Sequence, residues 1–400
     1  MADVYDVVIV GAGLMGSSAA YYASKAGKRV LLLEQFELLH AKGSSHGRSR
    51  IFRVAYPNGV YTKLCLESLK LWHEIEKEAD GVMLIEMTGE LDFAKERNAD
   101  LVQLEATLAQ HDVAFETLTG AQVNARFPGF SINESDYAVF NSQAGVLNPD
   151  LAMATLQSLA QKQGAVIRGG SKVTGIFASG GEGELANIEL VDGALISARQ
   201  CIVTSGAWTT SVLKNAPTSL KIQPIATYGT YWKCTNEEVY KPANFPVFIN
   251  YEDEFMYGLP MMDPKEGVKV CRHDGPNVDP DTRAGIEQPA ELAARLRTYV
   301  AKHFPHVDAS APSKTDHCMY SMTADENFII DFLPVGASPT TVSQGAATKN
   351  VVVGAGFSGH GAKMTPVIGK ILVELALEGK TEHNIELFRA SRAEVTTATN

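Results

Sequence analysis

The residues best suited to chemistry lie near the two ends of the chain. Close to the start, Asp6-Val-Val-Ile-Val-Gly11-Ala-Gly13-Leu-Met-Gly16 is followed, about twenty residues on, by Leu31-Leu-Leu-Glu34. Gly11 suits a tight turn, Gly13 lets the backbone approach a pyrophosphate, and Gly16 lets a helix lie close on its strand. The N-terminus of that helix would present free N–H groups and the positive end of its dipole to phosphates. Glu34, at the end of the second strand, can accept a hydrogen bond from a ribose hydroxyl. A bare glycine triplet is common. The flanking strand, helix and acid together point to a dinucleotide, without separating FAD from NAD. Far along the chain, His317-Cys318-Met-Tyr320-Ser-Met-Thr323 and Gly354-Ala-Gly356-Phe-Ser-Gly359-His360-Gly361-Ala-Lys363 supply a thiol and a lysine. They read as the opposite wall of one site. A chain that closes on a cofactor from both ends is expected to be a flavoenzyme.

Each reactive residue also has an ordinary reading. A lone cysteine in an apolar run is usually a buried, inert thiol. Arg53 and Lys363 would most simply be surface cations, although Lys363 follows a glycine-rich turn in an apolar context. As a pair they suit a substrate carboxylate: a guanidinium offers a two-pronged donor and an ammonium adds point charge. Lys269, in Gly267-Val-Lys-Val-Cys-Arg-His273, lies on an alternating strand, and the pattern alone favours a lysine pointing to water. Tyr257, His273 and Tyr320 could be pocket residues or satisfied core residues.

The elements that must position these groups can be outlined. Residues 4–10 form a β-branched strand, Ser17–Ala26 a helix of small residues, and Val30–Leu33 the next parallel strand, which together make a βαβ unit. A polar loop with Gly43–Gly47 precedes a helix around Tyr61–Ala79. A further helix is predicted near Asp100–His111, and Gly145-Val-Leu-Asn-Pro149 opens another through Gln163. Val166–Arg168 and Val173–Ile176 look like strands of the first domain, with Val173 near the cofactor. Gln200–Trp208 has the strand-then-glycine form that lets a backbone approach a cofactor. From 216 to 322 the aromatic and β-branched content rises, which suits a mostly antiparallel sheet able to roof a pocket. Val351-Val-Val returns to the nucleotide domain, and Pro366–Leu377 is a predicted helix.

The bulk numbers narrow the function further. At 400 residues the chain has room for two or three domains. A net charge of -11 argues against nucleic acid or an anionic membrane as partner. The five cysteines include no CxxC pair, so neither zinc nor a disulfide framework is expected, and the thiols should be reduced. No secretory leader is apparent, and no apolar stretch approaches the roughly 20 residues needed to cross a bilayer. The C-terminal Thr396-Thr-Ala-Thr-Asn400 is not a Ser-Lys-Leu address. A cytoplasmic or peroxisomal location is expected.

Gly43-Ser-Ser-His-Gly-Arg-Ser-Arg50-Ile-Phe-Arg53-Val-Ala-Tyr56, with Cys318-Met-Tyr-Ser-Met-Thr, Phe328-Ile-Ile-Asp331 and Gly356-Phe-Ser-Gly-His-Gly, resembles the monomeric sarcosine oxidase family. That family contains flavin-dependent oxidases of N-methyl and cyclic secondary amino acids, and the match runs from residue 4 to about 390. The resemblance implies FAD, joined through the sulfur of Cys318 to the 8α-methyl of its ring system. It implies that Arg53 and Lys363 hold the substrate carboxylate, and that Tyr257, His273 and Tyr320 line the pocket. His273 would tune protonation of the substrate amine. It also implies that Lys269 assists oxygen, because a fixed cation stabilises the charge formed when O2 takes an electron. Arg50 is expected beneath the flavin ring, with Ser44, Ser45, His46, Gly356, Phe357, Gly359 and Lys363 also facing the cofactor. Bacterial members often carry an acid where Arg48 stands and a histidine where Val54 stands, so their substrate preference does not transfer.

The expected fold is α/β with an α+β second domain: a Rossmann-like FAD-binding domain and a sheet-rich substrate domain, of the glycine/D-amino-acid oxidase kind. The FAD-binding domain would comprise 1–80, 145–215 and 323–390, the substrate domain 81–144 and 216–322, and the tail 391–400. The expected reaction oxidises the C–N bond of a small secondary amino acid to an imine that hydrolyses, with O2 reduced to hydrogen peroxide by a monomer. Alternatives are an L-pipecolate or fructosyl-amino-acid oxidase, a dehydrogenase with another electron acceptor, and a non-catalytic flavin carrier.

Overall fold

The computed structural model describes residues 4–177, 184–216, 218–252, 255–283, 286–334, 347–392 and 395–398. Its first sheet is built around the strand Tyr5–Val10, which pairs in parallel with Val30–Leu33 on one side and Leu195–Val203 on the other. Parallel pairing extends outward to Val166–Arg168 and to Ala347–Ala355. Antiparallel strands Val173–Phe177, Ala186–Leu190 and Ile329–Pro334 complete the eight strands among the described residues. The central strands read as unbroken apolar runs because both faces are covered. Ile9 and Leu32 face one core with residues of the helices Leu14–Lys25, Pro149–Lys162 and Thr365–Glu378. Val8, Val10, Leu31 and Leu33 face a second core with Val203 and Val353.

The glycine turn is where sterics dictate sequence. Gly11 has φ +99°, in the left-handed region. A Cβ on Gly16 would lie 1.8 Å from the Gly11 carbonyl oxygen, so the first helix can sit this close to its strand only without a side chain there. Helix starts follow local chemistry. Asn58, Asn98 and Asn148 each cap a helix by accepting a backbone N–H, for Gly59–Glu78, Ala99–Gln110 and Pro149–Lys162 respectively. These helices and Thr365–Glu378 lie within two residues of their expected bounds.

A second sheet of eight described strands runs in the order Lys314–Met322, Gln223–Trp232, Val268–Arg272, Met256–Leu259, Val247–Asn250, Glu90–Ala94, Tyr137–Asn141, Glu116–Thr119. It is antiparallel except where Val247–Asn250 runs alongside Glu90–Ala94. One face packs on an aromatic core in which Phe130 stacks on Phe245 at 4.3 Å, beside Phe248 and Phe304. A short three-stranded sheet, Arg50–Phe52, Gly145–Leu147 and Ile85–Met87, has its strands interleaved in sequence with those of the two large ones and carries Arg50 into the site. Of the expected tail, Thr396–Ala398 pairs with Thr218–Leu220. No helix among the described residues is long and apolar enough to cross a membrane.

Candidate active site

Two cavities meet at Arg50, Tyr320, Gly359 and Ala362. The smaller, about 170 Å³, follows the glycine turn and is lined by Gly11, Gly13, Glu34, Ser44, Ser45, Val173 and Phe357 among others. The larger, about 390 Å³, holds Arg53, Tyr257, Lys269, His273, Cys318 and Lys363 in its walls, with His46 at its edge. Two expected cofactor residues line neither cavity. Gly16 acts in helix packing, and Gly356, at φ +61°, sits where a Cβ would be 2.5 Å from Thr323 Cγ2.

The smaller cavity fits a dinucleotide. Glu34 Oε2 accepts from the Ala12 N–H at 2.9 Å, Oε1 accepts from the Phe36 N–H at 3.1 Å, and His40 Nε2 lies 3.2 Å from Oε1. Burial would raise its pKa, but these partners outweigh that and lower it, so Glu34 remains a carboxylate acceptor at the strand end. At the head of the first helix, Leu14 N–H donates to Ser45 Oγ at 3.1 Å. A Cβ on Gly13 would meet the same oxygen at 2.9 Å, so the backbone is bare where a pyrophosphate must approach.

Where the cavities meet, one cation faces one sulfur. Arg50 Nη2 lies 3.3 Å from Cys318 Sγ and donates to the carbonyls of His46 at 2.8 Å and Ser44 at 3.2 Å. Burial alone would raise the thiol pKa; Arg50 and then His46 overcome it and bring it down to about 6. Cys318 is therefore the one described cysteine held low, whereas burial pushes Cys65 and Cys201 up to about 12. His46 Nε2 is buried without a hydrogen-bond partner among the described residues, an open polar valence on the wall expected to face the cofactor.

On the far wall, Arg53 and Lys363 both lie against the Tyr56 ring, with the guanidinium carbon 3.8 Å and Nζ 5.6 Å from its centroid. Arg53 Nη1 donates to the Ala55 carbonyl and to Tyr251 Oη. Its Nε lies 3.8 Å from Glu90, and no hydrogen bond to a described residue engages Nη2. Lys363 is 5 % exposed and gives one proton to the His360 carbonyl at 2.9 Å. Burial, then Arg53, lower its pKa to about 7. Tyr257 and Tyr320 join hydroxyls at 2.9 Å, and the His273 ring lies 5.1 Å from that of Tyr320. Burial, with Lys363 and Arg53 adding to it, lowers His273 to about 4, so its imidazole is neutral.

Lys269 departs from its sequence pattern. Alternation favoured a solvent-facing lysine, yet the strand Val268–Arg272 is covered on both faces and Lys269 is 6 % exposed. Gly229 on the adjacent strand makes the room: a Cβ there would meet Lys269 Cε at 3.0 Å. Its Nζ donates to Ser49, both carbonyl and hydroxyl, at 3.3 Å, and burial lowers its pKa. Residues that the sequence reading missed include Tyr251 on Arg53, and Tyr231, whose hydroxyl donates to Asp316 at 2.9 Å near Lys269. Glu90 and Asp92 were also missed. Alternation in Glu90-Leu-Asp92-Phe signals a shared face, but nothing in it signals that the face is buried.

Residues 6–375 match the description of FAD dependent oxidoreductases. The chain belongs to that family. Within it the chain groups with the sarcosine oxidases. It is 37% identical over 380 residues to the "Probable sarcosine oxidase" of Arabidopsis thaliana, covering 94% of this chain and 88% of that protein. It is 32% identical over 395 residues to the "Peroxisomal sarcosine oxidase" of Homo sapiens, covering 98% and 96%. In fold, this FAD-dependent oxidoreductase matches NikD, described as an unusual amino acid oxidase, with a TM-score of 0.80, 23% identity and 97% of each chain covered. It is thus an FAD-dependent enzyme of the amine-oxidising kind.

Proposed function

We propose that the enzyme oxidises the C–N bond of a small secondary amino acid, sarcosine or another N-methyl amino acid, to an imine that hydrolyses, and reduces O2 to hydrogen peroxide. The observation that carries this reading is the pair of cations beside the Tyr56 ring, Lys363 buried and Arg53 largely so, with Arg53 Nη2 and two Lys363 protons left for a carboxylate. A bound FAD supplies the two-electron acceptor and passes the electrons on to O2. Arg53 and Lys363 orient the substrate by its carboxylate, and Tyr257, Tyr320 and neutral His273 enclose its amine. Next to two cations, a neutral imidazole favours the uncharged amine that oxidation needs. Lys269 holds a positive charge where O2 gains its electrons.

Cys318, held as a thiolate by Arg50, is the proposed 8α-S-cysteinyl attachment point. A net charge of -11 suits an enzyme with no nucleic acid or anionic membrane partner, and we read it as a monomer of cytoplasm or peroxisome. The two large sheets support dividing the chain into 1–80, 145–215 and 323–390 against 81–144 and 216–322. The tyrosines and Phe255 lining the larger cavity also suit L-pipecolate as substrate. A panel of sarcosine, L-pipecolate and a fructosyl amino acid, read by peroxide release, tests the function. Absence of peroxide after anaerobic reduction and admission of air would replace the oxidase with a dehydrogenase.

A further inference from the structure

Glu90 and Asp92 share one face of the strand Glu90–Ala94, are both 0 % exposed, and line neither cavity. Two carboxyls with no access to water call for a reason. Glu90 Oε1 lies 3.8 Å from Arg53 Nε, and Oε2 accepts from Asn141 Nδ2 at 3.2 Å. Among the described residues, neither Asp92 oxygen meets a donor from another side chain or the backbone. Arg53 and Tyr251 lie near enough to feel its charge, but the side chain that shares a hydrogen bond with it is Glu90, and two carboxyls bond each other only when one carries the proton.

We propose that Glu90, with Asp92 as its proton-bearing partner, is a positioning residue that fixes Arg53 and keeps both Arg53 and Lys363 charged for a substrate carboxylate. The inference rests on the reading that these two cations grip that carboxylate. The charges then close. Two cations and one shared anion leave the buried cluster one positive charge, which a single carboxylate neutralises. Burial and the neighbouring Glu90 raise Asp92 well above the usual carboxyl range; burial also raises Glu90, to about 7, with Arg53, Asn141, Lys363 and the Asp92 hydrogen bond opposing that rise. Asp92 is thus the protonated member. The other titratable groups facing the cluster are Tyr56, Cys65, Tyr251, His273 and His360, and burial keeps all five neutral near pH 7.

The test is acetate binding to the holoenzyme, followed by perturbation of the flavin spectrum across pH, with acetamide as the uncharged control. In the unaltered enzyme acetate binds better than acetamide and weakens along an alkaline limb as Lys363 loses its proton. Glu90→Gln keeps the shape but removes the anion. Its limb is expected to move down by about one pH unit, which is about tenfold weaker acetate binding on the alkaline side. Asp92→Asn can still donate to Glu90 and leaves the anion in place, so its limb stays or moves up. A Glu90→Gln limb that coincides with the unaltered one overturns the proposal, as does an Asp92→Asn limb that moves down. If Glu90→Gln fails to hold flavin, the direction of the Asp92→Asn limb decides alone. Acetate bound no better than acetamide, and unaffected by Lys363→Met, would instead sink the carboxylate grip itself.

Discussion

Arg50 Nη2 lies 3.3 Å from Cys318 Sγ across two separate sheets, and three backbone carbonyls, those of Ser44, His46 and Ser49, hold the guanidinium in place. The cation cannot swing away, so the sulfur meets a permanent positive charge. That is how a partly buried thiol stays below its ordinary range.

Arg50→Met should therefore leave burial opposed only by His46 and the Met319 backbone, and raise the Cys318 thiol pKa. The tryptic peptide containing Cys318 should then carry flavin mass in the unaltered protein and largely lose it in the variant. Acid precipitation should release the yellow colour from Cys318→Ala. Colour that stays with precipitated Cys318→Ala protein would remove this cysteine as the attachment point.

Lys363→Met keeps the bulk of the chain and removes the charge. A lost charge-assisted hydrogen bond is worth about 1.5–3 kcal/mol, so KM for the amino acid should rise by about ten- to a hundredfold with kcat changed far less. Steady-state kinetics across a substrate series would show it. An unaltered KM would contradict the assignment.

Lys269→Met should separate the two half-reactions. Loss of one fixed charge at the site of charge development costs about 10²–10³ in rate. Stopped-flow spectra should show flavin reoxidation by O2 slowed by that order and anaerobic reduction nearly preserved.

The lowered Lys363 fixes the sign of two pH effects. Its folded pKa of about 7 lies below an ordinary lysine's 10.5, so the unfolded chain binds more protons between those values. Stability from this group should rise with pH across that window, while carboxylate binding, which needs the ammonium, should weaken as pH passes about 7. Melting temperatures and KM of the unaltered enzyme and Lys363→Met, compared from pH 6 to 10, should diverge in these opposite senses.

Gly16→Ala would place a methyl 1.8 Å from the Gly11 carbonyl oxygen. Backbone cannot yield cheaply there, and overpacking of this kind costs about 1–3 kcal/mol. The variant should purify with little flavin and a lowered melting temperature. Full flavin content would mean that the first helix can retreat from its strand.

Much of this was legible in the chain. The glycine turn, its flanking strands and the capped helices are local, set by φ, by missing side chains and by Asn caps a few residues away. The motifs around Arg50, Cys318 and Lys363 named the family because short strings of residues survive intact. Lys269 was misjudged from its pattern. Alternation reports which residues share a face, and only the neighbouring Gly229 and the covering strands decide whether that face is wet. Glu90 and Asp92 escaped notice for the same reason.

The sequence by itself determined the dinucleotide turn, the order of elements and the list of reactive side chains, because each depends on residues close together in the chain. Tertiary structure alone decided their electrostatics. Cys318 becomes acidic, Lys363 weakly basic and Asp92 neutral only when distant strands remove water and bring Arg50, Arg53 and Glu90 beside them. Charge interactions grow as the surrounding dielectric falls, and that dielectric belongs to the packed interior rather than to any stretch of chain.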